Sequence, residues 1–170
     1  MDRDALQVIM VDVADLHELP DNPRNGDVEA VCKSYERFGQ RKPIVARHNA
    51  DGQLVVYSGN HQLKAVKLLG WSQMAVHLAD DLTEEEALAF ALADNRVSDL
   101  GTYDSKLMQL ALQSISHNPA LVEASSMTDL VKEDLSDLPD FEDFDWPMPK
   151  DKSEQKSTVA CPECGCEFVP

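Results

Sequence analysis

The chain has 170 residues, enough for one ordinary domain and a tail but too few for two full domains, and its 43% hydrophobic content allows a packed core. Thirty-one acidic residues against fifteen basic ones give a net charge of −16 and a pI near 4.5, which argues against strong direct binding to duplex DNA, where Lys and Arg must neutralise phosphate. No run approaches the roughly 18 apolar residues of a membrane span, and Met1-Asp2-Arg3-Asp4 does not open like a secretory leader.

The charge is unevenly spread. Between Arg24 and Lys67 eight basic residues face four acidic ones, so one locally basic zone sits on an acidic protein. Such a zone suits a small anion, such as a nucleotide, better than a long nucleic-acid track. An ordinary mixed surface would look the same by charge alone.

Residues 8–13 (VIMVDV) read as a first strand, and His17 to Asp27 as a polar loop with two prolines. From Asp27, a reasonable N-cap, Val28, Val31, Tyr35 and Phe38 form one apolar stripe of a helix that ends at Gly39. KPIVARHNADGQLVVYSG then supplies two short strands around an Asp51-Gly52 turn. After Gly59, Leu63, Ala65, Val66, Leu68 and Leu69 mark a helix ending at Gly70. Thr83 with Glu86 matches a capping box, and its helix runs to about Ala93, where ADNRVSDLGTYD breaks the pattern. Another helix starts at Asp104, with Leu107, Leu110, Ala111 and Ile115 on one face, and stops at His117-Asn118-Pro119. A shorter helical pattern follows from Ala120 to Leu135. Residues 1–116 therefore read as the domain, 117–135 as a helical extension, 136–158 as an acidic linker and 159–170 as a Cys-rich tip. The linker is rich in carboxylates and prolines and poor in bases, a composition that buries too little to fold alone.

The segment Ser58-Gly59-Asn60-His61-Gln62-Leu63-Lys64-Ala65 carries the chemistry. Glycine after a strand lets the backbone turn tightly and approach a ligand closely. The residues that follow sit at a helix N-terminus, where unpaired N–H groups and the helix dipole favour an anion. His61 can donate to phosphate, and Lys64 and Lys67 lie in the next turns. The same pattern also serves as a plain strand-to-helix connection. It is not a Walker loop, because no Gly-Lys-Ser/Thr is present.

Asp21-Asn22-Pro23-Arg24, the stretch SYERFGQRKPIVAR and then SGNHQLKAVKLLGW together resemble the ParB N-terminal domain family, of the ParB/sulfiredoxin fold. The family's usual pattern is an arginine-bearing loop, a helix ending S-I-x-x-x-G, a strand beginning P-I-x-V, then x-G-x-x-R-x-x-A and a helix ending L-G. The variant most similar to this chain occurs in phage and mobile-element proteins, often beside DNA methyltransferases, with turns like Gly-Asn-His-Arg and a later Ala-Asp-Asn-Lys. Here the later segment is Ala93-Asp94-Asn95-Arg96, and the resemblance spans roughly Val8 to Ile115. It implies an α+β fold with a small mixed β-sheet and flanking helices. It implies that Gly59, Asn60, His61 and Lys64 line a phosphate pocket, that Arg24 approaches the same phosphates and that Gln40 to Pro43, Arg41 included, border a nucleotide. It further implies that Asp94 and Asn95 hold Mg²⁺, a cation that takes hard oxygen ligands.

Where the family's turn has arginine, this chain has Gln62, which makes no charge-assisted contact to phosphate. Losing one such contact costs about 1.5–3 kcal/mol. The sulfiredoxin branch has a catalytic cysteine in this turn, and Asn60 stands there instead. Cys32 falls within a helix pattern as a small hydrophobe.

Cys161-x-x-Cys164-Gly, with Cys166 beside it, has the shape of one zinc knuckle. A structural site wants four ligands, which two copies in a homodimer would supply; a truncated knuckle is the alternative. The run DLPDFEDFDW reads as a solvated linker, as a partner peptide with Phe141, Phe144 and Trp146 as anchors, or as a mimic of nucleic-acid charge that covers the domain's own basic zone.

These features together give the expected function: a ParB-like nucleotide- or phosphate-binding protein of a phage or mobile-element DNA-processing or DNA-modification system. The expected location is the cytoplasm of a bacterial host. If it has an activity, Mg²⁺-dependent nucleoside-triphosphate hydrolysis is the first candidate. The alternatives are an inert adaptor for a DNA methyltransferase or nuclease and, more weakly, a ParB-like nuclease.

Overall fold

In the computed structural model, the described residues are 7–131, with the backbone alone of 159–160 and 167–168. The chain divides into two compact units, Met1–Leu138 and Pro139–Pro170. Among the described residues no helix is long and apolar enough to cross a membrane.

The first unit is a five-stranded sheet with helices on both faces, a mixed α+β fold. Its strands are β1 (Val8–Asp12), β2 (Leu16–Glu18), β3 (Ile44–His48), β4 (Leu54–Ser58) and β5 (Gln73–Leu78), in the order β1-β5-β3-β4-β2. β1 runs antiparallel to β5 and β3 to β4, while β5 pairs parallel with β3 and β2 with β4. The helices are α1 (Val28–Phe38), α2 (Asn60–Leu68), α3 (Glu84–Asp99), α4 (Ser105–Ser116) and α5 (Pro119–Ala124).

Local chemistry explains most boundaries. The Asp27 carboxylate accepts from the Ala30 N–H at 3.0 Å and starts α1. Thr83 and Glu86 form a reciprocal capping box at α3. Asp104 accepts from the N–H groups of Lys106 and Leu107 and starts α4. The hairpin between β3 and β4 turns on Asn49, whose side-chain oxygen accepts from the N–H of Asp51 and of Gln53.

β4 separates two apolar layers, because successive side chains of a strand point to opposite faces. Val56 faces the main core with Leu16, Ile44, Leu63, Val66, Met74 and Val76, under α1 and α2. Tyr35 closes this core by stacking on Trp71, with ring centroids 5.5 Å apart. Val55 and Tyr57 face the other way, against Ala87 and Ala91 of α3. α5 returns to α1, where Lys33 bridges Glu29 and Glu123, each at 3.3 Å.

Three expectations need correction. β5 is a full strand between β1 and β3, though its sequence QMAVHL is not read as an element above. Leu16–Glu18 is a strand rather than part of the loop that follows, because it pairs with β4. α3 does not stop near Ala93 but continues to Asp99. There Asn95 donates to the Ala91 carbonyl and Ser98 to the Asp94 carbonyl, so residues that look like helix breakers are satisfied within the helix.

The acidic linker, residues 136–158, and Cys161, Cys164 and Cys166 lie outside the described residues. Val159–Ala160 and Glu167–Phe168, strands β6 and β7, pair antiparallel within the second unit.

Candidate phosphate-binding site

The site begins with a backbone constraint. Gly59 links β4 to α2 at φ +103°, a left-handed conformation that side chains resist. A Cβ there would also collide with the Ile44 side chain and come within 2.6 Å of the Gln62 side-chain oxygen. Ile44 is core, so the turn is fixed against the sheet, and Gln62 folds back over the glycine. No acidic residue occupies the first turn of α2. The opening N–H groups of the helix, which have no partner within it, are therefore free of a competing carboxylate on their own helix.

Around this turn lies a cavity of about 200 Å³ lined by Asn22, Arg24, Tyr57, Ser58, Gly59, Asn60, His61, Gln62, Asp94 and Asn95. Three separate stretches of chain meet there: the loop after β2, the β4–α2 turn and the middle of α3. α3 reaches the turn through the Ala87 and Ala91 contact with β4, and the Ser58 hydroxyl donates to the Asp94 carboxylate at 2.7 Å.

The expected site residues divide by what their side chains do. Arg24, Gly59, Asn60, His61, Gln62, Asp94 and Asn95 come together at the cavity. The Asn60 side chain, however, is committed to the fold: it accepts from the Leu19 N–H at 2.8 Å and donates to the Val56 carbonyl at 2.9 Å. It is buried and leaves only its backbone to face a ligand. His61 also bonds internally, since its Nε2 accepts from the Gly26 N–H at 2.7 Å. Burial, then the nearby Lys64 and Arg24 cations, push its pKa below the ordinary 6.5, which keeps the ring neutral. Gly26 is needed for this contact, because a Cβ would lie 2.8 Å from the imidazole.

Lys64 pairs with Glu18 at 3.3 Å and does not line the cavity. Gln40 is spent on the backbone of Lys42 and Ala75, and neither it nor Arg41 borders this space. Two residues to which the sequence reading gives no role belong to the site. Ser58 orients Asp94, and Asp99 accepts from Arg24 Nη1 with both oxygens, at 3.1 and 3.2 Å. No local signal marks either one, since their partners lie 36 and 75 residues away.

A larger concavity, about 830 Å³, opens between α1 and α5. Asp27, Glu29, Glu123 and Asp129 line it beside Lys33. Its carboxylates make it a poor seat for phosphate, so size does not identify the site here.

The model of the ParB N-terminal domain matches residues 2–96, more than half of the chain. The chain belongs to the ParB N-terminal domain family. No curated protein matches it in sequence. Among solved structures, this ParB-type domain is similar to the C-terminally truncated chromosome-partitioning protein ParB from Caulobacter crescentus complexed with CTP-γ-S. That likeness has a TM-score of 0.60 and 15% identity over 70% of this chain and 71% of the other, so it establishes the fold alone. The same bacterial protein complexed to the centromeric parS site gives 0.45 and 14% over 69% and 64%. Sulfiredoxin from Arabidopsis thaliana gives 0.40 and 20% over 51% and 97%.

Proposed function

We propose that this ParB-type domain binds a nucleoside triphosphate with Mg²⁺, seating the phosphates on the first turn of α2. The convergence of that turn with Arg24, Asp94 and Asn95 around one cavity carries the reading. At about 200 Å³ the cavity suits a phosphate group better than a whole nucleotide, for which pockets run to roughly 300–1,000 Å³. Sugar and base then extend beyond it. A ParB of this fold has been solved with CTP-γ-S, which makes CTP the first nucleotide to test.

The residues present fit the metal. The Asp94 carboxylate, the Asn95 amide oxygen and the Ser58 hydroxyl are hard oxygen donors on the cavity wall. Mg²⁺ takes only one or two carboxylates from protein and completes its shell with water and phosphate. When bound it supplies positive charge that the chain lacks here, since Glu18, Asp94 and Asp99 outnumber Arg24 and Lys64 around the turn. The α2 amides and Arg24 would then hold the phosphates and stabilise charge that builds on them, so attack of water on the terminal phosphate, giving the nucleoside diphosphate and inorganic phosphate, is the reaction this arrangement supports. The wider role remains a phage or mobile-element DNA-processing system with a DNA-modifying partner, a reading that rests on the turn and Asp-Asn motifs.

One observation favours an adaptor instead. Leu88, Leu92, Val97 and Leu100 on or beside α3 are exposed, and Tyr103 after it is three-quarters exposed. Under that reading the pocket is a remnant weakened by Gln62, and α3 makes the contact. Isothermal titration with CTP, ATP and GTP in Mg²⁺ separates the two. The nucleotide reading expects saturable heat with at least one, weakened about ten- to hundredfold in Arg24→Ala and by removing the metal. Silence with all three leaves the adaptor. Zinc at Cys161, Cys164 and Cys166 is proposed from the sequence alone, and metal analysis of protein with and without residues 159–170 decides it.

A further inference from the structure

We infer that Asp99 is a built-in competitor for the ligand's phosphate at Arg24, an inference that rests on the nucleotide reading above. Among the described residues that line the cavity, Arg24 is the only cation. Its position is set by its own loop: the Asn22 side chain accepts from the Arg24 N–H at 3.1 Å, and the Gly26 N–H donates to His61 at 2.7 Å. The loop is thereby clipped to the first turn of α2 with Arg24 at the rim.

The guanidinium already holds an anion. Nη1 alone donates to both Asp99 oxygens, at 3.1 and 3.2 Å. This is a single-nitrogen contact rather than the two-nitrogen fork that makes arginine–carboxylate pairs strong. Both partners are also substantially exposed, 39% and 50%, so water screens the pair. The bond is therefore weak enough for a phosphate to displace, yet it cancels the charge a phosphate would meet.

Asp99 has a second reason to seek a cation. It is the last residue of α3, at the negative end of the helix dipole, where a carboxylate is disfavoured. Its hydrogen-bond partner lies on the loop that the phosphate must share. Asp99 thus sets how tightly the site holds its ligand.

The test is isothermal titration of CTP, ATP, GTP and inorganic triphosphate, each with Mg²⁺, into the full chain. The variants are Asp99→Asn, Arg24→Ala, the two combined, and Asp51→Asn at the far end of β4 as a charge control. Asp99→Asn is expected to bind about two- to fivefold tighter than the native protein at low salt, with the gain shrinking at high salt. Asp51→Asn is expected to leave the affinity unchanged within the error of the titration. In the Arg24→Ala background the Asp99 change is expected to have little effect, because the competition has been removed. Equal or weaker binding by Asp99→Asn, beside a native protein that binds, overturns the inference and leaves the nucleotide site standing. A gain that persists without Arg24 also overturns it, since it would be general repulsion. No heat from native protein and Asp99→Asn alike removes the nucleotide reading, and the inference with it.

Discussion

The two faces of the sheet are held by very different amounts of buried carbon. On the α1–α2 face, Ile44, Val56, Leu63, Val66, Met74 and Val76 are almost wholly excluded from water. Each such side chain contributes about 1.5–3 kcal/mol on burial. On the opposite face, α3 buries only Ala87 and Ala91, against Val55 and Tyr57. Alanine has little surface to remove from water, so α3 is the more loosely held element. The candidate site straddles this divide. Its phosphate turn belongs to the well-packed half, while Asp94, Asn95 and Asp99 ride on the thinly packed helix. A ligand bound to both would fasten α3 to the rest, as binding to the native state alone must stabilise it.

The comparison breaks most severely at Gly59. Gly59→Ala forces a left-handed Cβ into the Ile44 side chain and should cost about 3 kcal/mol, read from denaturant unfolding. A loss below about 1 kcal/mol would mean that the turn relaxes freely and that the packed half is less rigid than its burial implies. Asn60→Ala comes next, at about 2 kcal/mol, because it orphans the Leu19 N–H and one bond to the Val56 carbonyl.

The looser half responds less and more locally. Thr83→Ala removes the hydroxyl of the α3 capping box and should cost about 1 kcal/mol. Amide exchange should then accelerate along α3 while α2 keeps its protection. Equal acceleration in both helices would show that the two faces open as one unit and would erase the contrast.

What could be read from the sequence follows the range of the forces involved. Asp27, Gly59 and the Thr83–Glu86 pair are legible because each acts within three or four residues of itself. The convergence of Arg24, Gly59, Asp94 and Asn95 was legible only through family resemblance, as nothing local brings residues 24, 59 and 94 together. β2 has three residues and becomes a strand solely by pairing with β4. Asp94-Asn95 looks like a helix end because both favour turns, and only the Ser58 hydroxyl and the Ala91 carbonyl show why the helix continues. Asn60 is expected at the phosphates through the resemblance and His61 through its place at a helix start; both border the cavity, and the side-chain bonds that also brace them to the fold join residues too far apart in sequence to be legible.

His61 provides the mildest test of the junction between the halves. Its Nε2 accepts from Gly26, which only the neutral ring can do, and its environment includes Lys64 on α2, Arg24 on the loop and Glu18 on β2. Burial, then the Lys64 and Arg24 cations, lower its folded pKa, outweighing the Glu18 charge and a hydrogen bond with the Arg24 backbone. Above pH 6.5, the unfolded value, the ring is neutral in both states and its contribution is fully present. As the pH falls from there towards the lower folded value, the unfolded chain takes up a proton that the folded protein refuses. Stability therefore declines across that window and levels off below it. His61→Gln keeps an acceptor for Gly26 but does not titrate, so its unfolding free energy should fall less than that of the native protein over the same window. The carboxylates titrate alike in both proteins and cancel in the difference. Parallel pH curves would mean that the loop carrying Arg24 is not held by His61, and its ties would then be Asn60 to Leu19 and Asp99 to Arg24.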